Sequence, residues 1–210
     1  MTHTVGIRDR FRAQMLQEIK DAALRQLAEG GPQALSINAI AKELGVSGPA
    51  LYRYFAGRDA LLTELIVDAY GELTAALAGA PPSFAELAEA YRAWALAQPH
   101  RYRLLFGAPL PGYDAHDERL VKAAQRAMDV LLGMLDSGPA PEPALAEQLS
   151  AWIARRSAAT GVDAGRAMHA ISAWTRLHGL VSLEIEGNFA SMGLNADRLF
   201  AHEVAALQAQ

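Results

Sequence analysis

Along the first thirty residues apolar side chains recur at every fourth position: Phe11, Met15, Ile19, Ala23 and Leu27. That spacing is the stripe of an amphipathic helix from Arg8 to Glu29, and Gly30-Gly31-Pro32 stops it. Ser36 then caps a short helix whose inward residues are Ile37, Ile40, Ala41 and Leu44. Gly45 ends it, and Ser47 caps the next, with Pro49 tolerated in its first turn. A longer helix over Arg58 to Ala78 buries Leu61, Leu62, Leu65, Ile66, Ala69 and Leu73.

Pro81-Pro82 interrupts the pattern, and Ser83 with Glu86 forms a capping box before Phe84, Leu87, Tyr91 and Trp94. A short aromatic helix follows Pro99, and Gly107 to Gly112 is a loop. Leu120, Ala124, Ala127, Leu131 and Leu135 line one side of a helix from about Asp114 to Asp136. Pro143 opens another, to about Ala158; Asp163 to about Glu186 is a further long one, and Asn195 caps the last. Nothing alternates with period two, and no segment repeats. The expected fold is all-α, with nine or ten helices.

Composition sharpens this picture. The 210-residue chain is 51% hydrophobic, which excludes extensive disorder. It has no cysteine, so disulfides, thiolate catalysis and cysteine-bound zinc are excluded. No apolar run approaches the roughly 18 residues that a membrane helix needs, and Met1 to Arg12 lacks a signal-peptide core. A cytoplasmic protein with no membrane partner is expected. The net charge of −4 is uneven: residues 1–60 carry eight Lys/Arg against six Asp/Glu, while the remainder is acidic. That asymmetry has the sign of a nucleic-acid-binding N-terminus on an acidic body.

The stretch LGVSGPALYRYF, residues 44–55, raises a chemical question. Leu51 and Phe55 share the buried face of the helix after Ser47, which leaves Tyr52, Arg53 and Tyr54 facing largely outward. Ala41, Gly45 and Leu51 supply a small contact, a positive-φ turn and a seal between two helices, the skeleton of a helix-turn-helix. In that motif the second helix enters the major groove by its N-terminal end. Gly48, Pro49 and Ala50 would form the tip, with Ala50 or Pro49 against a thymine methyl. Tyr52 and Tyr54 would donate to phosphates, Arg53 would reach phosphate or guanine, and Ser47 would offer its hydroxyl to the backbone. Arg58 adds charge at a helix start.

At these residues the sequence ALSINAIAKELGVSGPALYRYFAGRDALL resembles the DNA-binding segment of the TetR family of transcriptional regulators. The resemblance covers residues 8 to about 65. It departs at Arg58, where the family usually has lysine, at Ala50, often threonine or serine, and at Ile37, often threonine. Ser36 and Asn38 fall at positions that the resemblance places on DNA. Further on, AWTRLHGLVSLEIEGNF (173–189) looks like the Trp–x3–His–Gly segment of one TetR subgroup, and HRYRLLFG (100–107) fits it too.

The resemblance implies residues 1–57 as a three-helix DNA-binding domain and 58–210 as a helical effector-binding and dimerisation domain. It implies a homodimeric repressor on a palindromic operator, recognition helices about 34–36 Å apart, released by a small apolar or aromatic effector. Helices 144–158 and 163–186 would pair across a two-fold axis through Leu149, Trp152, Ile153, Ile171, Trp174 and Val181. Tyr70, Tyr91, Trp94, Phe106, Met128, Trp174 and His178 are candidate pocket residues; an ordinary helical core would use the same side chains. A ligand-independent regulator is one alternative. A helical enzyme using His116, Asp117 or His178 is another: His116-Asp117, with Asp114 nearby, superficially suggests a metal or an acid–base pair. Acidic residues there suit a helix start, however, and His100, His169 and His202 show no ligand spacing. No catalytic residue, metal or cofactor is expected.

Overall fold

The computed structural model describes residues 6–107, 112–115, 117–156 and 161–209. Its helices are α1 (Ile7–Gly30), α2 (Ile37–Glu43), α3 (Gly48–Leu51), α4 (Arg58–Ala78), α5 (Phe84–Ala97) and α6 (Pro99–Phe106). They continue with α7 (Glu118–Met134), α8 (Pro143–Ala154), α9 (Ala164–Ile185), α10 (Asn188–Ser191) and α11 (Ala196–Gln208). Among the described residues there is no strand, and nine of these helices run to seven residues or more, matching the all-α expectation.

The chain forms two compact units, Met1–Ala69 with His100–Leu120, and Tyr70–Pro99 with Val121–Gln210. The division falls inside α4 and α7, so the first unit takes in α6 and the first half of α4 besides residues 1–57.

In the first unit, Ile19, Ala22, Ala23 and Leu27 of α1 are buried with Leu35, Ile37, Ile40, Ala41, Leu51 and Phe55. Leu61, Leu62 and Leu65 of α4 complete this core. Phe11 departs from the expected stripe: it is 68% exposed, because the first turns of α1 run beyond the residues that cover Ile19. Leu44 is only half-buried. Gly31, at φ +68°, turns the chain out of α1 and donates its N–H to the Leu27 carbonyl, a conformation that glycine adopts without a Cβ clash. Lys20 reaches Asp68 at 2.6 Å, and Tyr113 and Thr63 share a hydrogen bond of 2.9 Å.

In the second unit, Ser83 Oγ accepts from the Glu86 N–H, Asp163 from the Arg166 N–H, and Asn195 from the Arg198 N–H. Each cap satisfies a donor left over at a helix start, a contribution of about 1 kcal/mol. Helix α7 starts at Glu118, later than the expected Asp114, because the Asp117 carboxylate accepts from the Arg119 N–H there. Helix α8 ends at Ala154, and residues 157–160 lie outside the described residues.

Among the described residues of this unit, two arginines are buried. Arg92 of α5 binds both Glu184 of α9 and Asp197 of α11 and lies over the Phe200 ring, 5.0 Å from its centroid. Arg156 binds Asp129 and the Gln125 carbonyl and lies over Trp152. At the start of α9, a Cβ on Gly165 would stand 2.6 Å from the Gly138 carbonyl oxygen, so backbone meets backbone directly.

Candidate nucleic-acid interface

The corner between α2 and α3 is made by backbone chemistry. Ser36 Oγ accepts from the Ala39 N–H at 3.3 Å, while its own N–H donates to Gln26 Oε1 at 2.9 Å, which ties the start of α2 to α1. Gly45 takes φ +67°, the left-handed conformation that reverses the chain. The Val46 N–H then returns to the Ala41 carbonyl at 3.0 Å. Ala41 is 3% exposed and Leu51 1%, so the small residue lets the second helix approach and the leucine closes the gap. Burying a leucine this fully contributes about 2 kcal/mol.

Ser47 differs from expectation. Its hydroxyl makes no cap; instead its carbonyl accepts from the Ala50 and Leu51 N–H groups. The hydroxyl is exposed at the edge of the corner. Regular helix ends at Leu51, with tighter turns carrying the chain to Phe55.

The outer surface presents the expected side chains. Asn38, Pro49 and Arg53 are exposed, Tyr52 is 51% exposed, and Gly48 and Ala50 are half-buried. Asn38 stands beside α3, its Oδ1 3.6 Å from where a Cβ on Gly48 would lie. Tyr54 is half-buried, with the Arg12 guanidinium over its ring, Cζ 5.9 Å from the centroid. Arg58 is half-buried, and its Nη2 donates to the Pro32 carbonyl at 2.8 Å. It therefore braces the start of α4 against the turn that follows α1, whatever else it touches. Arg12 was not singled out by the sequence. Its signal was present as a basic residue in the Arg8–Arg12 segment, but its proximity to Tyr54 depends on the fold.

Of the candidate pocket residues, Tyr70, Tyr91, Trp94, Met128, Trp174 and His178 belong to the second unit and Phe106 to the first, where it packs on Tyr102 at 5.0 Å between centroids. Tyr91 and Trp94 are buried, and among the described residues the Trp94 indole N–H finds no acceptor. Burial raises the Tyr70 pKa and lowers that of His178, so the imidazole is held neutral where it stacks on Trp174. His116 lies outside the described residues, and among the described residues no cluster of metal ligands exists.

The proposed dimer residues divide. Trp152, Ile153, Ile171 and Trp174 are half-exposed. Leu149 at 6% and Val181 at 0% are buried in this chain's own core, which leaves them almost no surface for a partner.

Residues 19–65 match the family model for bacterial regulatory proteins of the tetR family, and residues 84–207 match the tetracyclin repressor-like C-terminal domain. The chain belongs to the TetR family. This is a family of transcriptional regulators, not of enzymes. Among TetR relatives, the HTH-type transcriptional regulator Rv1816 of Mycobacterium tuberculosis is 37% identical over 146 residues, a match covering 65% of this chain and 62% of that protein. The chain thus spans less than two thirds of that relative's length. The crystal structure of the protein SCO4313 superposes with a TM-score of 0.83 at 41% identity, over 98% of this chain and 100% of that one. FadR from Bacillus subtilis, in complex with stearoyl-CoA, shares the TetR fold at 15% identity and TM-score 0.57, covering 91% and 96% of the two chains. Among the described residues, no helix of this TetR protein is long and apolar enough to cross a membrane.

Proposed function

We propose that this protein is a homodimeric DNA-binding transcriptional repressor, released from a palindromic operator by a small apolar or aromatic effector. The observation that carries the reading is the corner built on Ala41, Gly45 and Leu51, which buries Ala41 and Leu51 and leaves Tyr52, Arg53 and Asn38 exposed. Large aromatics exposed next to an arginine and a small-residue tip suit the backbone and base edges of a major groove. Ser36, Ser47 and Tyr54 would hydrogen-bond phosphates, Gly48, Pro49 and Ala50 would approach the bases, and Arg58 would add charge where Pro32 holds it.

The half-exposed Trp152, Ile153, Ile171 and Trp174 support pairing of α8 and α9 with a second copy. The buried Trp94 donor without an acceptor supports an effector that carries an acceptor oxygen, with Tyr70, Tyr91, Met128, Trp174 and His178 as further candidates and Phe106 belonging to the other unit. FadR's stearoyl-CoA is an example of a ligand with a long apolar chain in this fold. Helix α4 continues directly from the recognition segment and is the natural lever between ligand and DNA. Only an effector that prefers the conformer with badly spaced heads would release the operator.

The test is selection from a pool of random duplexes at low ionic strength. An inverted repeat with half-sites about one helical turn apart, or somewhat more, should be enriched. Retention of no duplex would overturn the reading.

A further inference from the structure

Arg8 and Arg12 lie one helical turn apart on α1, so their side chains leave the same face. The stacking of Arg12 over Tyr54 turns that face towards the recognition segment. Ile7 and Phe11 form the adjacent row and are 66% and 68% exposed. Among the described residues no ion pair engages Arg8, Arg10 or Arg12. Asp9, the lone carboxylate between Gly6 and Gln17, folds back, its Oδ2 3.2 Å from where a Cβ on Gly6 would lie.

Such a helix end is not arranged for stability. Like charges four residues apart repel, and exposed apolar side chains gain nothing from water. The Arg8 and Arg12 guanidiniums, engaged by no ion pair among the described residues, are complementary to a polyanion, and the row they form is continuous, through Tyr54, with the surface proposed for DNA.

We infer that Arg8 and Arg12 form a second duplex contact, holding the sugar–phosphate backbone outside the base pairs covered by α3, with Phe11 lying along the sugars. The inference rests on the DNA-binding reading. It adds that the footprint of each half-site is longer than a recognition helix alone would give. Arg12 has two tasks, one on phosphate and one in fixing the Tyr54 ring, whereas Arg8 has only the first.

Full-length wild type, Arg8→Ala, Arg8→Ala/Arg12→Ala and Phe11→Ala are compared on a pool-selected operator, once with about one helical turn of flanking duplex at each end and once trimmed to the half-sites. On the flanked duplex Arg8→Ala should weaken binding about fivefold to tenfold near 0.1 M salt, and each arginine removed should flatten the logarithmic salt slope by about 0.9. On the trimmed duplex Arg8→Ala should match wild type, and its unfolding temperature should be unchanged. Equal affinity and slope on the flanked duplex would overturn the contact, as would an equal loss on both duplexes. A fall in sedimenting mass for Phe11→Ala with DNA affinity intact would assign the strip to a second protein copy instead. If wild type itself retains no duplex, the DNA reading falls as well; if wild type binds and Arg8→Ala binds equally, only this contact falls.

Discussion

Arg92 grips Glu184 through two parallel hydrogen bonds, Nε to Oε2 at 2.8 Å and Nη2 to Oε1 at 2.6 Å, and so joins α5 to α9 inside the second unit. Arg92 is buried and Glu184 largely so, with side-chain exposures of 8% and 15%. Removing one partner strands the other charge away from water, which costs about 3–5 kcal/mol. Arg92→Ala should therefore lower the urea midpoint sharply, whereas Arg92→Met with Glu184→Leu should restore most of it. The contact from Asp197, whose side chain is 79% exposed, should matter little on its own.

Gly45 carries the turn at φ +67°. A Cβ there meets open space, so the strain of a substitution is purely conformational. Gly45→Val should cost at least about 1–2 kcal/mol and displace α3 from α2. Thermal unfolding measures the first effect, and loss of operator affinity in excess of the stability change measures the second.

His178 is held neutral by burial, its pKa lowered in the folded chain. Its unfolded value is about 6.5. The unfolded chain therefore binds the proton first as pH falls, and folded stability is lost below about that pH and down through the lower folded value. His178→Phe should flatten the fall in melting temperature between about pH 7.5 and pH 5.5. An unchanged pH profile would show that the imidazole titrates as freely in the folded state as in the unfolded one.

Tyr52 and Asn38 should separate by readout. Tyr52→Phe removes a hydroxyl assigned to phosphate and should weaken binding similarly on every sequence. Asn38→Ala should relax selectivity at one base pair, with a discrimination change of about 1–3 kcal/mol. Arg58→Ala should weaken DNA binding and also lower stability, because it frees the Pro32 carbonyl. Competition binding against single-base operator variants distinguishes these outcomes.

Trp174 is half-exposed on α9 and stacks on His178 at 6.0 Å. Trp174→Arg should break a dimer formed through this face, giving monomer mass in sedimentation. A surviving dimer would move the interface elsewhere.

Helix boundaries were legible wherever a cap has a local cause. Ser36, Ser83, Asp163 and Asn195 each accept from the N–H three residues on, an interaction written within four residues of sequence. The turn at Gly45 and the burial of Ala41 and Leu51 were legible for the same reason. Ser47 was misread because two equally local options compete, hydroxyl or carbonyl, and the carbonyl takes the bonds. Partners distant in sequence were not legible. Arg92 looks like any polar residue on a helix until α9 and α11 bring Glu184 and Asp197 to it. Val181 and Ile171 share an apolar stripe, and only packing decides that the first is core and the second surface. Phe11 shows the converse, an apolar periodicity that outruns the core available to it.

The contact of Gly165 with the Gly138 carbonyl brings main chain against main chain at the origin of α9. With 22 residues, α9 is about 33 Å long. Any side chain at position 165 would wedge that origin outward, and a swing of about 5° there carries the far end by about 3 Å over such a length. The heaviest penalty for a methyl group at Gly165 would thus fall not on its neighbours but on the alignment of Glu184 with Arg92, some twenty residues away along the chain.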